Sequence, residues 1–221
     1  MMRRSTLPPA ANEPDSWGSI ARDALSSTFS RFLPPLLLLA VIWVVFIAQL
    51  ITGPALFYAL GIPSGEFTRI WTWFTSPFIH ANLPHIVGNS FFLLLLGVLV
   101  AVEGRRRWAV VTVLATICSG LVTTVLSTNT VTGGASGLVF GYFGYLLTAP
   151  WFEVRRGRKI LRFSVAVMLL VSYSFTLFAG FIPNGNMSWQ AHLGGFLGGI
   201  VAAMLTLRSR GSANNEVGGR L

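Results

Sequence analysis

The sequence predicts an all-α polytopic membrane protein, a bundle of six transmembrane helices with both termini on the cytoplasmic side. Three observations predict it. Hydrophobic residues make up 53% of the 221 positions and charged residues only 10%, where a soluble domain carries about 25% charged. The apolar residues fall in six runs separated by polar or Gly/Pro-rich loops. All but one of the basic residues occupy alternate loops, as the positive-inside rule requires of a correct span count.

Residues 1–31 are polar, with Pro8, Pro9, Pro14 and several serines. They read as a mobile cytoplasmic tail with room for a short amphipathic helix from Trp17 to Phe29. The first thirty residues lack an apolar core, so no cleavable signal peptide is expected. The membrane core covers 32–207. Its helices are expected at about 33–51, 85–102, 108–126, 136–150, 160–178 and 189–207, and 208–221 form a cytoplasmic tail. The first run is long enough to cross about 30 Å of hydrocarbon. Gly53 to Asn82 is too interrupted to span. Phe57, Tyr58, Phe67, Trp71, Trp73, Phe74 and Phe78 make it an expected interfacial loop, because aromatic rings settle at the membrane–water boundary. The fourth segment is short, at about 22 Å, which sinks its first residue below the outer surface.

Fifteen of the sixteen basic residues lie in the first tail, the loops after spans two and four, and the last tail; only Arg69 falls opposite. That pattern makes the tails cytoplasmic. A net charge of +9 would suggest nucleic acid in a soluble protein. Here topology accounts for it, so the expected partner is the lipid bilayer and no nucleic acid. Cys118, the single cysteine, excludes an intramolecular disulfide and a thiolate metal cluster.

Polar groups inside a membrane are costly and mark function. Ser136 follows Gly134-Ala135 at the outer mouth of the fourth segment. His80, His85 and His192, the three histidines, all sit toward outer ends. No Asp or Glu shares that depth, which argues against a Ser-His-Asp triad. The residues point instead to a dyad, with Ser136 as nucleophile and His192 as general base and then general acid. Phe140, four residues after Ser136 and on the same helix face, is the candidate platform for the imidazole. Gly195 and Gly199 follow His192 on its face, and Gly137, Gly141 and Gly144 follow Ser136; small residues at this spacing let membrane helices pack closely. His85 and Asn89, spaced i, i+4, are candidate oxyanion donors together with the Ser136 backbone N–H. Interhelical hydrogen bonding is the other reading of Asn89, and close packing is the other reading of the glycines. A metal site from the three histidines lacks a carboxylate partner, and no metal or cofactor is expected.

With these residues placed, the sequence resembles the rhomboid family of intramembrane serine proteases. The motifs are Gly134-Ala135-Ser136-Gly137, His85-x-x-x-Asn89 followed by an apolar run and Glu103, and Ala191-His192-x-x-Gly195-x-x-x-Gly199, with His80 five residues before His85. They cover about residues 35–207. The resemblance implies a six-helix core and a serine-type intramembrane endopeptidase, with Ser136 as nucleophile and His192 as base. It implies His85 and Asn89, and less directly His80, at the oxyanion hole. Substrates would be transmembrane proteins cut through an acyl-enzyme near the outer end of a helix. Access would be lateral, past the fifth segment and a cap for which Phe181, Met187 and Trp189 are candidates. Two positions depart from the family pattern. Trp71 is followed by Thr72 rather than Arg, with Arg69 nearby, and Phe140 stands where Tyr is frequent.

A non-catalytic rhomboid-like protein that binds and escorts membrane proteins is the alternative; the intact dyad separates the two. A small transporter would show internal repeats and mid-membrane charges, and neither is found. Almost exclusive use of Arg as the basic residue points to a GC-rich genome, and the lack of a transit-type leader points to a bacterial inner membrane, with the active site facing outward.

Overall fold

The computed structural model describes residues 17–128, 130–182 and 187–218. The expected tail at 1–16, part of the loop before the last span (183–186) and residues 219–221 lie outside them. Eight α-helices are described: α1 (Trp17–Thr52), α2 (Pro54–Leu60), α3 (Thr72–Thr75), α4 (Leu83–Ala101), α5 (Arg105–Leu126), α6 (Ser136–Phe152), α7 (Arg156–Ala179) and α8 (Trp189–Gly218). Two short strands, β1 (Ile62–Pro63) and β2 (Val131–Thr132), pair antiparallel with Ile62 opposite Thr132.

By length and composition, five stretches among the described residues are fit to cross a membrane: Phe29–Thr52, α4, α5, α7 and Trp189–Leu207. The fourth of the expected segments, α6, has 17 residues, of which 12 are buried. It is the centre of the bundle and touches α4, α5, α7 and α8, while α1 leans on α4. A helix surrounded by others can be short, because its ends meet protein as well as lipid.

Helix limits differ from the apolar runs in a consistent way. α1 has no break between Phe29 and Leu33, and it continues through Pro34 and Pro35. Neighbouring helices make such prolines tolerable in a membrane; Pro35 here faces Gly97 of α4, where an added Cβ would stand 3.6 Å from it. α5 and α7 begin at Arg105 and Arg156, and α8 runs on past Leu207. Hydropathy marks where lipid starts. The backbone stays helical into the polar margin, since Arg is a good helix former.

The interrupted stretch after α1 is folded. It holds α2, β1, α3 and two 3-10 turns. Arg69 ties it together: its Nη2 donates to the carbonyls of Tyr58 (3.1 Å) and Ala59, and its guanidinium stacks over Trp71 at 5.1 Å. The Thr75 hydroxyl donates to the Leu60 carbonyl at 2.8 Å. Three carbonyls at the C-terminus of α2, which no helix can satisfy internally, are capped this way. An arginine three residues before Thr72 therefore anchors the loop.

The glycines set the tightest contact. A Cβ on Gly195 would strike the Gly137 carbonyl, and one on Gly199 the Gly141 carbonyl. The backbones of α6 and α8 thus touch without side chains between them. At the opposite end of α6 from Ser136 an ionic cluster closes the bundle. Glu103 accepts from Tyr145 Oη (2.6 Å), Arg107 (2.7 Å) and Arg162 (2.9 Å). Arg162 also pairs with Glu153 at 3.2 Å. Charges buried this far are tolerated only when paired and hydrogen-bonded.

Candidate active site

Ser136 is the first residue of α6. The chain reaches it through Gly134 at φ 132°, where a Cβ would fall 2.7 Å from His85 Cε1. Glycine is needed there for the backbone angle and for the space. The Gly134 N–H donates to the Ser76 carbonyl at 2.9 Å, and the Ala135 N–H donates to His80 Nε2 at 3.3 Å. Two bonds from the segment before α4 therefore hold the two residues that lead into the serine. As a first-turn residue, Ser136 presents an N–H that its own helix cannot satisfy.

His192 lies in the first turn of α8, which Ser188 caps by accepting from the Ala191 N–H at 3.2 Å. The ring is 3% exposed. It lies flat on Phe140, with centroids 4.2 Å apart and an interplanar angle of 12°. Its Nδ1 is 2.6 Å from the Gly180 carbonyl oxygen. A carbonyl only accepts, so Nδ1 carries the proton and Nε2 carries the lone pair. That is the tautomer a general base requires. A backbone carbonyl takes the orienting place that a carboxylate holds in a triad. Gly180 was not legible as a site residue, since any residue supplies a carbonyl. The signal it offers is steric: a Cβ there would stand 2.9 Å from His192 Nδ1.

Ser136, His192, His85, Asn89 and Phe140 line one cavity of about 630 Å³, and so do Met187 and Trp189. Asn89 is 8% exposed, and its Nδ2 is buried with no hydrogen-bond partner among the described residues. A buried donor left open is costly, and this one borders the cavity. Gly195 and Gly199 stand behind, at the α6–α8 contact. Phe181 packs edge-on against Phe140 at 4.9 Å rather than lining the cavity. His80 is fully buried and also outside the lining. Its ring meets His85 at 5.1 Å and 66°, and its Nε2 is taken up by Ala135.

The sequence model of the Rhomboid domain matches residues 68–209. The chain belongs to the rhomboid family. Among curated relatives, the uncharacterized protein ML1171 of Mycobacterium leprae is 37% identical over 62% of this chain and 56% of its own length. The putative rhomboid protease YdcA of Bacillus subtilis is 29% identical over 83% of this chain and 94% of its own. The rhomboid protease GlpG of Yersinia pseudotuberculosis is 30% identical over 75% and 59%. The chain thus spans a little over half the length of the Mycobacterium leprae relative. Its apolar helices and its rhomboid membership make it an integral multi-pass membrane protein.

Proposed function

We propose that this rhomboid is an intramembrane serine endopeptidase that cleaves transmembrane helices of membrane proteins near the extracytoplasmic face, in a bacterial inner membrane. The observation that carries the reading is the bond between His192 Nδ1 and the Gly180 carbonyl, which leaves Nε2 basic on the wall of the cavity that Ser136 also lines.

His192 Nε2 takes the proton of Ser136 Oγ as the oxygen attacks the scissile carbonyl. The ring stays on Phe140 while it becomes imidazolium, a cation over an aromatic face. The tetrahedral oxyanion is met by the Ser136 N–H, by Asn89 Nδ2 and by His85, donors fixed in a water-poor site where each has a large effect. His192 then gives its proton to the leaving amine, and the N-terminal part of the substrate stays esterified to Ser136. Water enters from the outer side and loses a proton to His192 as it attacks the ester carbonyl; His192 then returns that proton to Ser136 Oγ as the C–O bond breaks and the acid leaves.

The test is labelling with a serine-directed fluorophosphonate. Wild type labels at Ser136, while Ser136→Ala and His192→Ala do not label and do not cleave a transmembrane substrate. Full labelling of Ser136→Ala would overturn the assignment.

A further inference from the structure

Gln49 is a polar residue in the last turn of α1, in a run otherwise apolar on both sides. Its amide makes two bonds to one residue: Nε2 donates to the His80 carbonyl at 2.6 Å, and Oε1 accepts from the His80 N–H at 3.2 Å. A planar amide bonded at both ends to one residue's N–H and carbonyl fixes that stretch of backbone in place and in rotation. His80 in turn reaches back to the peptide that precedes the serine, accepting from Ala135 N–H through Nε2. The same ring touches His85 edge-on. One imidazole therefore meets the peptide leading into the nucleophile and a proposed oxyanion donor.

We infer that Gln49 and His80 form a positioning relay, in which the first membrane helix sets the place of Ser136 through the Ala135 peptide. The inference rests on Ser136 being the nucleophile, and it assigns His80 a different part from that of an oxyanion donor. Nε2 is an acceptor, so it offers no proton to a developing negative charge. The proton is on Nδ1, which is buried with no hydrogen-bond partner among the described residues. Burial and the neighbouring His85 lower the His80 pKa to about 3, so the accepting form persists through the physiological range. Gly134, held to the Ser76 carbonyl, gives the chain a second fixed point. With Ala135 released, only that point and the helix start would define where the hydroxyl stands. A displacement near 1 Å costs about a hundredfold in rate.

The experiment uses the full chain in liposomes. Rates of fluorophosphonate labelling, kcat and KM for a transmembrane substrate, and thermal midpoints are measured for wild type, Gln49→Met, His80→Phe and His80→Gln. Gln49→Met keeps the length of the side chain, removes both hydrogen bonds and suits the apolar run around it, so it guards against a result due only to misfolding. We expect Gln49→Met and His80→Phe to label and turn over about ten- to a hundredfold more slowly, with KM unchanged. His80→Gln, whose Oε1 can accept from Ala135, should recover much of the rate. Labelling of His80→Phe at the wild-type rate overturns the relay. So does equal loss in His80→Phe and His80→Gln with equal falls in thermal midpoint, which would mark a packing role. Failure of wild type to label at Ser136 would overturn the protease reading instead, and that arm does not involve residues 49 or 80.

Discussion

The ring of His192 lies on that of Phe140 with 4.2 Å between centroids and 12° between planes. The stack fixes the tilt of the imidazole, and the Gly180 carbonyl fixes its rotation within the plane. Phe140→Leu keeps most of the volume and loses the flat face. We expect labelling of Ser136 to slow about tenfold or more, since a fixed base supplies on the order of 10²–10⁴ in rate. Phe140→Tyr should stay close to wild type. Labelling kinetics beside a thermal melt would check this, and Phe140→Leu at full rate would show that the platform is dispensable.

Asn89 offers a cleaner separation of rate from stability. Its Nδ2 has no partner among the described residues, so Asn89→Ala removes no bond of that donor from the resting protein. Turnover should fall about 10²–10³-fold while the thermal midpoint moves little. A large fall in midpoint with little change in kcat would favour an interhelical role for Asn89.

Gly195→Ala is expected to do the reverse. The new Cβ meets the Gly137 carbonyl, part of a backbone that cannot yield as a side-chain tip can. Overpacking of this kind costs about 1–3 kcal/mol, occasionally more. Unfolding in detergent or bicelles should show it directly, and activity should drop as α8 moves His192 away from α6.

Arg162 sits between Glu103 and Glu153, with side-chain exposures of 10%, 16% and 3%. Arg162→Leu leaves Glu153 with the 3.4 Å pair to Arg158. Removing one member of a buried pair costs about 3–5 kcal/mol. Because the cluster is at the far end of α6 from Ser136, the labelling rate below the melting range should persist. A rate loss at constant stability would instead mean that the two ends communicate.

His80 gives a pH prediction. Its pKa is lowered from 6.5 to about 3, so between those values the unfolded chain binds a proton that the folded one refuses. Stability contributed by neutral His80 is therefore full above about pH 6.5 and is lost as pH falls toward 3. His80→Gln has no proton to bind, and its stability should fall less steeply between pH 6.5 and 4. Parallel stability curves for the two proteins would refute this.

Much of the fold could be read locally. Low charge, six apolar runs and one-sided arginines were enough for a polytopic helical bundle, because lipid rewards composition over stretches of about twenty residues. Helix ends were less legible at Trp17, Arg105, Arg156 and Gly218, since a helix can outlast its apolar stretch. The folded segment between α1 and α4 shows the same limit. Aromatic density placed it at an interface, but the capping of α2 by Arg69 depends on contacts ten and eleven residues apart.

By itself the sequence determined the chemistry on offer: a serine, three histidines and an asparagine in an apolar chain, no acid at their depth, and glycines spaced for close helix contact. Only the tertiary structure decided how those groups are used. It turned His192 toward a backbone carbonyl, set His80 against the peptide before Ser136, and brought Gln49 from the first helix to hold it. A carbonyl and a primary amide carry no mark of role in sequence. They gain one from the neighbour that packing supplies.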